Sequence, residues 1–282
     1  MNFSVEWLLV RKPYDDVARN GKILQSLLES LPPSTEQLVI WDLGAGICNS
    51  SGTFPFLFFK AGYSSQKWFF IEKDETLLNA AISNIRSFFP ALTSKTCFIH
   101  ENCILVFHQK EDEIFEGHLI NTQIQNLNRS HYGSPDIFMA NAVFDIVNED
   151  LIRYLVSQFN DCVWYSSLNH RKTHLLPKDS LDFIAKAYDE HTIAQYPERL
   201  GIQTCIKVPE ILSESGFIVR QGSSTWRIDK TDDPAIFSML WQFIQEVALE
   251  MNISETLLEQ SKNQCHQIIV DHCDFLAVPK IQ

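Results

Sequence analysis

The stretch Gln37-Leu38-Val39-Ile40-Trp41-Asp42-Leu43-Gly44-Ala45-Gly46-Ile47-Cys48-Asn49-Ser50-Ser51 decides the fold. Gln37 to Trp41 reads as a buried strand that runs straight into a glycine turn, and Ser50 or Ser51 can cap the helix that follows, carrying Phe54 to Phe59. Strand, glycine turn and helix in that order make a general nucleotide site. Glycine lets the backbone approach a ligand, and a helix N-terminus offers free N–H groups.

Outward from this loop, strand and helix patterns alternate. Upstream, residues 14–30 carry Val17, Ile23, Leu24, Leu27 and Leu28 at helical spacing and stop at Leu31-Pro32-Pro33. Downstream come a second apolar strand (Lys67 to Ile71), a helix (Thr76 to Phe89, stopped by Pro90) and strand-like runs at Thr96 to Phe107 and His118 to Ile124. A strand at Asp136 to Ala140, a helix at Glu149 to Phe159 and a strand at Cys162 to Ser166 complete a repeating pattern. It predicts an α/β fold with a mostly parallel sheet covered by helices on both faces. Beyond residue 170 the spacing predicts helices at Ser180 to His191, Val208 to Ser215, Pro234 to Met251 and Ser254 to Gln264. Strands are expected at Phe217 to Ile228 and Gln267 to Val278.

Two cofactor classes use a glycine loop of this kind, dinucleotides and S-adenosylmethionine. The dinucleotide fingerprint wants a third glycine three positions after the second, where this chain has Asn49. More telling is Asp42, two residues before Gly44. A carboxylate at the strand tip repels a pyrophosphate and attracts the ammonium and sulfonium of S-adenosylmethionine. Glu72 closes the second strand, beside the loop in a parallel sheet, where it can accept hydrogen bonds from both ribose hydroxyls; Asp74 could substitute for it.

On these residues the chain resembles the class I S-adenosylmethionine-dependent methyltransferases. Ile40 to Gly46 looks like their first motif, Ile71-Glu72-Lys73-Asp74 their second-strand acidic motif, and Asp136 to Ala142 the fourth strand and the loop facing the methyl group. A little-characterised bacterial group of such enzymes is similar from end to end. It opens with the pattern seen here as Trp7-Leu8, Arg11, Pro13, Asp15, Ala18 and Arg19. It also carries strands like Ser224-Thr225-Trp226-Arg227 and His272-Cys273-Asp274-Phe275-Leu276. The resemblance implies one domain over 1–282, a Rossmann-like seven-stranded sheet with an antiparallel last strand, an N-terminal helical cap (1–33) and a helical insertion (234–264). It also implies that Arg19, Asp42, Gly44, Ala45, Gly46, Glu72, Lys73, Gln123 and Asn141 hold the cofactor. Two positions depart from the pattern. Cys48 stands at the motif's third glycine, adding a side chain near the methionine end, and Gln123 is the nearest polar residue where an acid usually faces the adenine amine.

Methyl transfer is a displacement at an activated sulfonium, so the protein mainly aligns the partners and excludes water. Arg19 is read either as the partner of the methionine carboxylate or as a surface arginine paired with Asp15 or Asp16. Asn141 either orients the acceptor or caps a loop, Asp145 is a second acceptor-side carboxylate, and His191 is the candidate general base, or a helix-end residue. His272 and Asp274 share one face of an inner strand, where they either form a buried network or line the pocket. Cys265, His266, His272 and Cys273 have no recognised metal spacing.

Composition narrows the partners. In 282 residues, 35 Asp and Glu against 23 Lys and Arg leave a net charge of −12, which repels a phosphate backbone; the densest basic stretch, His170 to His174, is too short for a nucleic-acid track. No apolar run approaches a membrane span or a signal-peptide core. Seven cysteines without a Cys-x-x-Cys pair argue against a disulfide framework, so a cytoplasmic protein is expected. A small-molecule acceptor is the first expectation and a protein acceptor the second. A protein that holds the cofactor without turnover and an NAD(P)-dependent oxidoreductase are the alternatives.

Overall fold

A computed structural model describes residues 4–31, 37–89, 95–99, 102–110 and 113–280. The stops expected at Pro32-Pro33 and Pro90, and residues 100 and 101 inside the strand expected over 96–107, lie outside the described residues. The first half of the chain runs α1 (Val5–Ala18), α2 (Gly21–Ser30), β1 (Leu38–Leu43), α3 (Phe54–Lys60), β2 (Ser65–Glu72), α4 (Glu75–Phe88), β3 (Lys95–Ile99), β4 (Asn102–Lys110) and β5 (Glu113–Asn121). The second runs α5 (Arg129–Tyr132), β6 (Ile137–Asn141), α6 (Glu149–Gln158), β7 (Val163–Leu176), α7 (Lys178–Gln195), α8 (Thr204–Glu214), β8 (Phe217–Asp229), α9 (Pro234–Glu250), α10 (Glu255–Gln264) and β9 (Gln267–Pro279).

The strands form one sheet in the order β3-β4-β5-β2-β1-β6-β7-β9-β8. The pairs β5–β2, β2–β1, β1–β6 and β6–β7 are parallel, and β9 runs antiparallel to both β7 and β8. The expected Rossmann-like seven-stranded sheet with an antiparallel last strand is therefore present, and β3 and β4 extend it at the β5 edge as an antiparallel pair. Where a single strand was expected over 96–107, two are found. α9 and α10 fall between β8 and the last strand, β9. Among the described residues no helix is long and apolar enough to cross a membrane.

The two-residue period of the strands sorts their side chains into two layers. Ile40, Trp68, Phe70, Met139 and Tyr165 face α2, α3 and α4, whose Leu27, Phe58 and Leu78 pack on them. Trp41, Phe69, Ile71, Phe138 and Trp164 face α6 and α8, meeting Leu155, Val208 and Ile211. A third cluster joins α1, α7, α9 and α10 to the far ends of β7, β8 and β9 through Trp7, Leu181, Trp226, Trp241 and Ile268. Because β1 is flanked by β2 on one side and β6 on the other, the connections diverge at its C-terminal end. That leaves an open crevice where a doubly wound sheet binds its ligand.

One helix was expected over residues 14–30, and the chain makes two. Arg19 has extended backbone (φ −51°, ψ 136°), and the Asn20 side chain caps α2 by accepting from the N–H groups of Lys22 and Ile23. Asp274 holds this break in place. Its buried carboxylate accepts from the Asn20 N–H (2.7 Å), the Leu168 N–H (2.8 Å) and the Ser224 hydroxyl (2.6 Å). Leu168 has a positive φ of 60° and sits where the β7–β9 register shifts, so Asp274 also pins that bulge. Of the two roles read for Asp274, the structure selects the buried network. Asp274→Ala strands three buried donors and is expected to cost about 4 kcal/mol; urea denaturation checks it, and a loss within experimental error contradicts the role.

Candidate functional site

Gly44 and Gly46 adopt φ of +57° and +56°, the left-handed region that side chains avoid, and turn the chain sharply off the tip of β1. Space for a side chain is tight as well. A Cβ on Gly44 stands 2.7 Å from Cγ2 of Val143, and one on Gly46 stands 3.1 Å from Cδ1 of Leu8. The end of β2 fastens the turn. The Ala45 N–H donates to the Ile71 carbonyl (3.0 Å) and the Gly46 N–H to Oε2 of Glu72 (2.9 Å). Oε1 of Glu72 accepts from the N–H groups of Lys73 (2.8 Å) and Asp74 (3.0 Å), while Asp74 caps α4. The carboxylate thus shapes the loop and keeps acceptor capacity on the side facing the crevice.

Above the loop lies a cavity of about 630 Å³, inside the range of roughly 300–1,000 Å³ usual for small-molecule sites. Its wall gathers Arg19, Asp42, Gly44, Ala45, Gly46, Glu72, Lys73, Gln123 and Asn141, all expected from the sequence. Asp42 is 2% exposed, and burial pushes its carboxyl from 3.8 up to about 6, against the opposing pull of Ser50, Asn141 and the Arg19 charge. It accepts from the Ser50 hydroxyl and from Nδ2 of Asn141 (3.3 Å). Asn141 in turn accepts from the Ser167 hydroxyl (2.6 Å), so its amide is fixed with the donor toward Asp42.

α1 supplies the opposite wall through Leu8, Arg11, Asp15 and Arg19. Leu8, Arg11 and Asp15 recur at three- and four-residue intervals and so share one helix face, and Arg19 follows at the end of the helix. Arg11 pairs with Asp15 (2.9 Å), and Arg19 pairs with Asp16 while lying over the Phe54 ring at 5.2 Å. Burial works against the Arg19 charge, but Asp15, Tyr165 and Asp16 outweigh it and hold the guanidinium firmly protonated. Arg19 is 8% exposed and Asp15 3%. Among the described residues, Nε of Arg19 and Oδ1 of Asp15 have no hydrogen-bond partner. Arg19 and Asp15 bring a cation and a carboxylate to one wall of the cavity. Arg11, Asp15 and Arg199, a further wall residue, were not singled out as ligand contacts. The spacing of Arg11, Asp15 and Arg19 was the available signal.

Other candidates lie elsewhere. Cys48 has a φ of +59°, the backbone a glycine would adopt there, but its side chain is fully buried in the core and does not line the cavity. The side chain expected near the ligand therefore points away from it. His191 is not in the wall; its Nε2 meets Oε2 of Glu250 (2.5 Å) between α7 and α9. Asp145 is not in the wall either; burial raises its carboxyl, and the charges of His170, Arg11 and Arg199 ease it. His272 packs edge-on against Trp226 at 4.9 Å, and burial, His170 and Arg11 keep its imidazole neutral well below the ordinary range.

No protein-family model and no curated protein matches the sequence. Similar solved structures include the precorrin-6y C5,15-methyltransferase of Geobacter metallireducens GS-15 (12% identity, 95% of each chain, TM-score 0.43). Another is the magnesium protoporphyrin IX methyltransferase of Synechocystis PCC 6803 with bound S-adenosylhomocysteine (11% identity, 97% of this chain and 87% of that one, TM-score 0.42). A third is YjhP of E. coli (12% identity, 93% and 94%, TM-score 0.46).

Burial of Asp42 sets a pH dependence of stability. The folded state binds this proton more tightly than the unfolded chain, so the contribution favours folding below pH 3.8 and is lost as pH rises from 3.8 to about 6. Above that, the ionised carboxylate costs up to roughly 3 kcal/mol. Asp42→Asn is therefore expected to melt higher than the ligand-free wild type at pH 7.5, with the gap closing toward pH 4; calorimetry at both pH values checks this. Gly44→Ala is expected to lose about 2 kcal/mol from its φ and the Val143 clash, measured by urea unfolding.

Proposed function

We propose that the chain is a class I methyltransferase that binds S-adenosylmethionine in this cavity and transfers its methyl group to a small-molecule acceptor. The observation that carries the reading is the buried Asp42 carboxylate at the tip of β1, which makes no ion pair among the described residues and stands at the ligand face of a glycine turn. A ligand with a fixed positive charge restores its ionised state, and a pyrophosphate does the reverse. The charged residues of the wall fit the same ligand: the Arg19 guanidinium suits an α-carboxylate, and Asp15 and Asp42 suit an ammonium. Glu72 takes the ribose hydroxyls, Ile71, Leu77 and Ile124 offer an apolar bed for a purine, and Gln123 and Lys73 lie at the exposed rim.

When bound, the cofactor supplies a methyl group already activated by a sulfonium. What remains for the protein is alignment and exclusion of water. α1 closes the cavity over Asp42, and Asn141 is locked between Ser167 and Asp42 beside the space walled by Val143, Val147 and Arg199, where an acceptor fits. Asn141 is read as a positioning residue. His191 is not carried forward as a base, because it stands against Glu250 outside the wall. Cys48 offers no ground for a protein that binds without turnover, since its side chain leaves the cavity free.

Isothermal titration with S-adenosylmethionine and S-adenosylhomocysteine, against NAD and NADP, tests the assignment. Binding of the first two is expected, and binding of a dinucleotide alone overturns it. Affinity for S-adenosylmethionine should fall about tenfold per pH unit below pH 6, as the Asp42 proton competes with the cation. Asp42→Ala and Glu72→Ala should each weaken binding by at least tenfold, equivalent to about 1.4 kcal/mol. Arg19→Ala should weaken it by a similar factor.

A further inference from the structure

Two cysteines outside the cavity are brought side by side by β7. Cys205 lies in the first turn of α8 and Cys273 in the middle of β9, at 8% and 5% exposure. Asn169 joins them. It is the register partner of Cys273 and donates to the Cys273 carbonyl (2.9 Å), while the Cys205 thiol donates to the Asn169 carbonyl (3.6 Å). Both side chains belong to one buried cluster in which α8 packs on β9.

The two thiols have unequal characters. Cys205 is held below the ordinary thiol range by its neighbour Cys273, with the Arg171 charge assisting, whereas Cys273 is pushed up by Cys205 and by burial. Access is one-sided too. Cys205 lines a surface groove between α8 and β8 with Ile206, Pro209, Val219 and Gln221, and Cys273 lies behind it. The buried thiols of Cys48, Cys162 and Cys265 are all pushed up, Cys265 to about 11, and make poorer nucleophiles.

We propose that Cys205 and Cys273 form a peroxide-responsive dithiol, with Cys205 as the attacking thiol and Cys273 as the resolving one. The Cys205 thiolate attacks one oxygen of hydrogen peroxide and the O–O bond breaks. Cys205 becomes a sulfenic acid, and the departing hydroxide takes up a proton to leave as water. The Cys273 thiol then attacks the Cys205 sulfur: the S–S bond forms, the S–O bond breaks, and the hydroxyl leaves with the Cys273 proton as a second water. Two thiols lose two electrons and the peroxide gains them. The product ties α8 to β9 next to Asp274 and independently of any ligand in the cavity.

The test treats the full-length protein with stoichiometric hydrogen peroxide, followed by intact mass measurement and non-reducing peptide mapping. The wild type is expected to lose two hydrogens, reversibly with dithiothreitol, through one crosslink between the Cys205 and Cys273 peptides. It should also melt at a higher temperature once crosslinked, because a long loop is closed. Cys273→Ser should stop at a sulfenic acid on Cys205 that dimedone traps, and Cys205→Ser should leave Cys273 unmodified. A crosslink through any other cysteine, dimedone on Cys273 ahead of Cys205, or no loss of hydrogens overturns the proposal. The wild-type crosslink map decides the pairing even where a variant folds poorly.

Discussion

The cavity is organised around a carboxylate that the fold keeps dry. Asp42 ends the central strand of the sheet, with β2 and β6 hydrogen-bonded on either side, and solvent reaches almost none of it. A charge in that position is expensive, and a hydroxyl and an amide, from Ser50 and Asn141, compensate it only in part. The neighbouring structure answers this constraint. Gly44 turns the backbone away to leave room above the carboxylate, Glu72 holds the turn open, and α1 lies across the top with Arg19 close enough to help.

Much of the support for the site comes from residues outside the cavity wall. Asp274 is buried in β9, yet it fixes the chain immediately after Arg19 through the Asn20 N–H and fixes the β7 bulge through the Leu168 N–H. One carboxylate therefore sets the position of the α1 wall and the course of β7 beyond Ser167, the residue that orients Asn141. On the far side, Asn49 and Asn84 tie the glycine turn to α1 and α4, with Asn49 reaching the Leu8 carbonyl and Asn84 the Ile47 carbonyl. Side-chain amides do this where the turn's own backbone groups have no ladder partner.

Cys48 shows how a motif position can keep its conformation while changing its residue. The backbone remains in the left-handed region that a glycine would occupy, at a cost of about 1 kcal/mol, and the small thiol is absorbed by the core around Phe54 and Phe58. A substitution that reads as an intrusion into the ligand site is a packing residue.

The chain by itself determined the sheet and the loop. Strand runs such as Ile40-Trp41 and Trp68-Phe69-Phe70 alternate between two apolar layers, and the Asp42 to Gly46 turn carries its charge and its φ requirement in its residue types. Asp42 was legible as a carboxylate at the strand tip, and Glu72 as its neighbour, because a parallel sheet puts consecutive strand ends at one edge. Only the tertiary structure decided the rest. The break at Arg19–Asn20 depends on a carboxylate far along the chain. The turn of Cys48 into the core depends on which side of the loop the core lies, and the pairing of His191 with Glu250 depends on how α7 meets α9. Local spacing records a residue's face on its own element. What that face meets depends on contacts between distant segments, which neither segment's own pattern contains.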